Sequence, residues 1–223
     1  MNIKLFIEAI IKFLLGLIIV SLLLFLPAST FKFWNGWLFL ALLFIPMFIG
    51  GIIMIIKSPN LLKSRLNAKE KESEQKEVLV LSGIMFIIGF ILAGLNFKYS
   101  WIILPNIIII ISSIIFIISY ILYAEVLREN MFLSRTIEVQ KEQKVIDTGL
   151  YGVVRHPMYL VTIFLFLSMP LILGSIISFL IFLMYPFIII KRIKNEEKVL
   201  ENNLKGYKEY KEKVKYKLIP FIW

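Results

Sequence analysis

The sequence predicts an all-α, polytopic membrane protein with about six transmembrane helices. The last two form a hairpin, and the polar stretches of the C-terminal half gather on the cytoplasmic side. Three observations lead there. Apolar residues make up 59% of the 223 positions and charged residues only 18%, against about 45–50% and about 25% in soluble domains. The uncharged residues fall into runs of bilayer-spanning length, and the basic residues between those runs gather on alternate loops. The same counts exclude several function classes. With no Cys there are no disulfides and no thiolate ligands or nucleophiles, and a lone His156 rules out a multi-histidine metal centre. No metal site is expected. A net charge of +10 interleaved with apolar runs points to anionic membrane lipids as partners, with no nucleic acid.

A charge at mid-bilayer is costly, so spans are sought between charged residues. Five runs qualify: 13–31, 33–56, 78–97, 99–124 and 156–190. The first four suit single helices, since about 20 residues cross the hydrocarbon. The fifth, 35 residues long with Pro170 and Gly174 near its middle, reads as two shorter helices joined by a turn around Met169 to Ser175. Residues 1–30 also have the outline of a signal peptide. However, Glu8 and Lys12 are spaced as an ion pair one helical turn apart, which favours a retained span. The stretch Lys57 to Glu77 alternates in charge and reads as a solvated connector. With six spans and both termini cytoplasmic, 23 of the 25 Lys and Arg share one side, leaving only Lys32 and Lys98 opposite. This divides the chain into a four-span membrane region, 1–123, and a C-terminal region, 124–223, with the last hairpin and most of the polar residues.

Removing the spans leaves two polar stretches on that shared side, Glu125 to Arg155 and Lys191 to Trp223. In the first, Pro157 suits the opening turn of a helix, where its missing N–H costs nothing. The backbone amides there, with Arg155, would form a seat for a carboxylate or phosphate; the competing reading is an Arg-His pair that only anchors the helix at the headgroups. In the second stretch, Arg192 and Glu196 stand one turn apart, with Leu200 and Leu204 continuing an apolar face towards the bilayer. Tyr207, Tyr210, Val214 and Leu218 recur among seven lysines, which reads as an interfacial strap on an anionic leaflet.

The run Gly149-Leu150-Tyr151-Gly152-Val153-Val154-Arg155-His156-Pro157-Met158-Tyr159 is followed by an apolar hairpin, Arg192, Glu196-Glu197 and the Gly206 to Pro220 tail. Together these strongly resemble the isoprenylcysteine carboxyl methyltransferase family of integral membrane enzymes, over roughly Asn130 to Pro220. The resemblance implies transfer of a methyl group from S-adenosylmethionine to a lipophilic small-molecule or lipidated acceptor. Carried over residue by residue, it implies cofactor contacts from Tyr151, His156, Pro157, Met158 and Tyr159. Gln140, Gln143, Lys144, Val145 and Ile146 would form a preceding wall, Glu196 would close the pocket, and Arg192 would face the acceptor. Two positions depart from the family pattern: Gln143, where some relatives have His, and Val161, where a glycine often stands. No residue is singled out as catalytic.

In-line transfer from a sulfonium needs no metal and no covalent intermediate, only a dry pocket that aligns donor and acceptor. A carboxylate acceptor is already ionised at pH 7, whereas a thiol or amine would need a base such as Glu197 or His156. Four readings therefore stand beside one another. They are an isoprenylcysteine-like acceptor, a phospholipid-amine or thiol methyltransferase, an NADPH-dependent sterol-reductase-like enzyme, and a non-enzymatic scaffold or transporter. The last predicts mid-membrane polar groups or an internal repeat, and the sequence has neither.

Overall fold

A computed structural model describes residues 3–67 and 73–223, the side chains of residues 73 and 74 excepted. Among the described residues there is no strand. The helices are α1 (Ile3–Ala28), α2 (Trp34–Lys57), α3 (Pro59–Leu66), α4 (Ser73–Tyr99), α5 (Asn106–Glu129), α6 (Pro157–Ile172), α7 (Ile176–Phe182), α8 (Tyr185–Asn203) and α9 (Tyr207–Lys213). A single 3-10 turn occupies Gly149–Gly152.

Among the described residues five helical stretches are long and apolar enough to cross a membrane: α1, α2, α4, α5 and the α7–α8 pair taken together. The remaining expected span, the fifth in chain order, is α6 with 16 residues, about 24 Å at 1.5 Å per residue, short of a full hydrocarbon thickness. The outward faces of α1, α2, α4 and α5 carry rows of exposed Ile, Leu and Phe, such as Ile7, Ile11, Leu14 and Ile18 on α1. In water these would be a liability; against lipid they cost nothing.

Helix ends differ from the charge-bounded runs for local reasons. Helix α1 starts ten residues before its run because the Glu8–Lys12 pair closes within it, Nζ to Oε1 2.6 Å. Helix α5 starts at Asn106, since Pro105 caps it in an extended conformation. The preceding turn is tied down by Asn96, which donates to Ile102 O and accepts from Ile102 N. The stretch expected to be a connector is partly helical: α2 ends at Lys57, α3 fills Pro59–Leu66 and α4 begins at Ser73. The part of it at residues 68–72 lies outside the described residues.

The fifth run divides as expected, with Leu173–Ser175 turning through Gly174 at φ 75°. It also breaks a second time, at Leu183–Met184, because Pro186 has no N–H to give Phe182. Contacts fix how α6 and α8 run. Thr162 accepts from Tyr185 Oη at 3.1 Å, and Tyr159 Oη accepts from Arg192 Nε at 2.8 Å, so the two helices are antiparallel. The α6–α7 turn meets the end of the bundle formed by α2's start and α4's finish, where Asn35 donates to Ile172 O and Asn96 to Gly174 O. Pro157 and Arg192 therefore lie at the other end. There Gln75 of α4 accepts from Arg192, and Ser64 of α3 accepts from Arg135 N.

Helix α4 occupies the middle of the bundle because two of its glycines admit close neighbours. A Cβ on Gly94 would sit 2.5 Å from Leu24 O of α1, and one on Gly89 2.3 Å from the Phe182 ring of α7. Small residues at such crossings let helices pack without a solvent-derived hydrophobic drive. Phe39, Phe90, Phe116 and Phe182 fill the space around them.

Candidate active site at the polar end of the bundle

The Arg155-His156-Pro157 element is held from two sides. Its backbone N–H groups at Arg155 and His156 donate to Tyr216 O and Lys217 O of the tail, each at 2.9 Å. Its side chains converge on Glu197 of α8, one turn beyond Ile193: Arg155 Nε is 2.7 Å from Oε1, His156 Nε2 is 3.3 Å from the same oxygen, and Lys217 Nζ is 3.0 Å from Oε2. Arg155 also donates to Val214 O and Lys215 O. All three of Arg155, His156 and Glu197 are buried. The expected anion seat made of Arg155 and the adjacent amides is thus not available. A buried carboxylate and the tail carbonyls already occupy those donors, because a buried guanidinium must be matched where it lies. Glu197 is correspondingly committed to ion pairs and does not stand as a free base. Pro157 does open α6, as its ring predicts, with His156 O accepting from Tyr159 N and Leu160 N.

Glu196 faces the other way. Its carboxylate takes a short hydrogen bond from Tyr159 Oη, which itself accepts from Arg192 Nε, and the His156 ring stacks on Tyr159 at 5.7 Å. These side chains form the floor of a narrow cleft. Of the residues expected around a cofactor, Gln143, Lys144, Val145, Ile146, Tyr151, His156, Met158, Tyr159 and Glu196 all line it, as does Arg192. Gln140 and Pro157 do not. Gln140 holds the wall in shape from behind, donating through Nε2 to Phe132 O at 2.6 Å and through its backbone N–H to Gln143 Oε1 at 2.8 Å. Pro157 is buried beneath the floor.

Sequence reasoning missed part of the lining. Asn130, Thr136, Ile137 and Glu138 come from the irregular segment after α5, Leu200 from the last turn of α8, and Leu204, Tyr207 and Tyr210 from the tail. The tail reading needs correction. Leu204, Tyr207, Tyr210 and Val214 pack on Val139, Val145 and Leu200 instead of on a lipid leaflet, and Tyr210 Oη donates to Tyr151 O at 2.7 Å. Leu218 joins the main core. A period of three to four residues marks an apolar face but does not say what covers it, so periodicity alone could not place this face.

Burial pushes the Tyr151, Tyr207 and Tyr210 phenols well above their ordinary range, with the Glu196 carboxylate adding to the effect at Tyr151 and Tyr207 and Glu197 at Tyr207 and Tyr210. They stay protonated donors at neutral pH. Among the described residues the Tyr207 hydroxyl is buried in the cleft without a hydrogen-bond partner, a state that costs roughly 1–3 kcal/mol unless a ligand supplies one, while the buried Tyr151 hydroxyl has the Asn130 side chain near it. Gly149 opens the 3-10 turn that carries Tyr151. It sits at φ +52°, and a Cβ there would fall 1.5 Å from Glu129 Oε1, the carboxylate that accepts from Leu150 N.

A second cavity, about 760 Å³, opens beneath the first and reaches between the helices. It is apolar for most of its surface, with Phe13, Phe48, Phe86, Leu165 and Ile189 among its walls, and its size falls within the range of small-molecule sites. Ser134, Met158, Tyr159 and Arg192 line both cavities, so one layer of side chains separates a polar compartment from an apolar one.

Residues 108–202 match the isoprenylcysteine carboxyl methyltransferase (ICMT) family. It is the family that the Arg155 to Tyr159 motif resembles, and the ICMT match runs from the first turn of α5 to the end of α8. It therefore covers both the Arg155-His156-Pro157 element and the Arg192, Glu196, Glu197 helix. It supports a membrane methyltransferase, and ICMT members use S-adenosylmethionine. No curated protein matches the chain significantly. The cleft fits such a donor on its own terms: an unpartnered phenol and a carboxylate suit a ligand rich in hydroxyl and amino groups, and tyrosine faces suit a cation.

Proposed function

We infer that the chain is an integral membrane methyltransferase that moves a methyl group from S-adenosylmethionine in the polar cleft to a lipophilic acceptor in the apolar cavity. The observation that carries this reading is the shared wall of Ser134, Met158, Tyr159 and Arg192. It is where the donor and acceptor compartments adjoin, so that a rotamer change in this one layer would bring the donor methyl and the acceptor oxygen into direct line. The donor, when bound, supplies an electrophilic methyl on a sulfonium. Tyr151 and Tyr207 donate to its polar groups, Glu196 accepts from them, and the Tyr159 ring faces the cation. Helix α6 and the apolar lining exclude water from the line of transfer.

Arg192 orients the acceptor. Its guanidinium is steadied by Tyr159 Oη, Gln75 Oε1 and Arg135 O, and an isoprenylcysteine-like carboxylate is the acceptor chemistry it suits best. With Glu197 held in ion pairs, an acceptor that is ionised before it binds is favoured over a thiol or amine. In this reading residues 124–223 are the catalytic region, seated on the four-span region 1–123. The cleft and both termini face the cytoplasm, as the basic residues gathered at that end favour.

The direct test is to incubate the detergent-purified protein with methyl-labelled S-adenosylmethionine and a membrane lipid extract, and then to recover label in the organic phase. Glu196→Ala and His156→Ala should abolish transfer, and Arg192→Ala should lower turnover more than donor affinity. Binding of NADPH in place of S-adenosylmethionine would overturn the reading in favour of a reductase.

A further inference from the structure

Three arginines from three separate elements meet at the polar end of the apolar cavity: Arg65 of α3, Arg135 of the segment after α5, and Arg192 of α8. Only Arg192 has a role in the reading above. Arg65 is half-buried and donates to Ser134 O at 3.2 Å and to Tyr123 Oη, and it approaches Met158 Sδ at 3.9 Å. Every one of these acceptors is uncharged. Arg135 lines the same cavity, and no carboxylate among the described residues lies within ion-pair distance of either Arg65 or Arg135. Lys12, which also lines the cavity, is matched by Glu8 and by Leu66 O. Desolvation by the surrounding protein, followed by repulsion from Arg65 and Arg192, holds the Arg135 guanidinium below its ordinary basicity.

Gathering like charges beside an apolar volume is unfavourable unless an anion joins them. Guanidinium forks match the planar or tetrahedral oxygens of carboxylate and phosphate. We propose that Arg65 and Arg135 form a seat for the oxyanion of a lipid-tailed molecule whose chain fills the 760 Å³ cavity. The proposal rests on the methyltransferase reading only in taking this molecule to be the acceptor; the seat itself stands on the two arginines and the cavity. It assigns specificity to Arg65, which lies outside the ICMT-matched segment, so the N-terminal half takes part in choosing the acceptor.

The test uses the full chain in a non-ionic detergent with three C16 probes: palmitate, 1-palmitoyl-lysophosphatidate and uncharged 1-monopalmitin. Equilibrium binding should favour the anionic probes over monopalmitin by at least tenfold. Arg65→Gln and Arg135→Gln should each reduce anionic affinity by about tenfold while leaving monopalmitin unchanged, and Arg135→Lys should recover part of the loss. Tighter palmitate identifies a carboxylate head, tighter lysophosphatidate a phosphate head, and either supports the seat. Equal affinity for charged and uncharged probes, or full anionic affinity in both Gln variants, would overturn it. S-adenosylmethionine binding is measured on the same samples. Absence of donor binding in the unaltered protein defeats the methyltransferase reading without touching the seat, and retention of donor binding in the Gln variants shows that they are folded.

Discussion

Replacing Glu197 with Gln tests how the Arg155-His156-Pro157 element is held. The substitution keeps the side chain's shape but removes the charge that faces Arg155 at 2.7 Å, His156 at 3.3 Å and Lys217 at 3.0 Å. Breaking a buried ion pair by removing one partner costs about 3–5 kcal/mol. Arg155 keeps its bonds to Val214 O and Lys215 O, which places the expected loss near the lower end, about 3 kcal/mol. For a chain of this length each kcal/mol lowers Tm by about 2–4 °C, so the melting temperature should fall by roughly 6–12 °C. Glu196→Gln is the matched control. Its carboxylate meets the Tyr159 hydroxyl, and its loss should cost no more than about 1.5 kcal/mol. The assay is tryptophan-monitored thermal unfolding in detergent, with donor binding measured below the transition. Glu197→Gln should lose stability and binding together, Glu196→Gln binding alone. If Glu196→Gln melts earlier than Glu197→Gln, the division of labour between these adjacent carboxylates is wrong.

Other outcomes follow from the same geometry. Tyr207→Phe removes a buried hydroxyl that lacks a partner, so thermal stability should hold or rise by about 1 kcal/mol while donor affinity falls about tenfold. Calorimetry showing unchanged affinity would remove this hydroxyl from the site. Gly149→Ala forces a side chain into a left-handed backbone position and onto Glu129. It should cost about 2–4 kcal/mol from backbone strain and the displaced acceptor of Leu150 N–H, read as a lower Tm with weakened donor binding. Because the phenols of Tyr151, Tyr207 and Tyr210 are raised in the folded state, rising pH ionises them first in the unfolded chain and so draws the equilibrium towards unfolding. Their full contribution is present below pH about 10 and declines as pH rises above it. Absorbance at 295 nm should show phenolate appearing together with unfolding; smooth titration of all nine tyrosines near pH 10 in the folded protein would refute it.

The hydrophobic runs made the four long helices legible, because the cost of burying charge in lipid is nearly independent of tertiary detail. Their ends were not. The Glu8–Lys12 pair and Pro105 are local features that a count of uncharged residues does not weigh. Many of the residues that line the cleft are named through the family resemblance of the Arg155 to Tyr159 motif and Glu196, because helix geometry alone does not tell which neighbouring positions share its surface. Which of two adjacent glutamates points inward was beyond the sequence. Glu196 and Glu197 differ by about 100° around α8, and only the packing of the tail decides that Glu197 meets Arg155. The tail's apolar face was recognised but assigned to lipid, because lipid and a protein wall select the same residues. Arg65 was passed over inside a charged stretch. Its significance comes from where α3 ends in space, beside Ser134 and Met158.

The single layer formed by Ser134, Met158, Tyr159 and Arg192 makes the two compartments thermodynamically dependent on each other. Any rotamer change that one occupant induces in Tyr159 or Arg192 reshapes the surface offered to its counterpart, and the coupling must be equal in both directions. An inhibitor lodged among the hydrocarbon-facing walls would therefore alter retention of the aqueous ligand without ever touching its pocket.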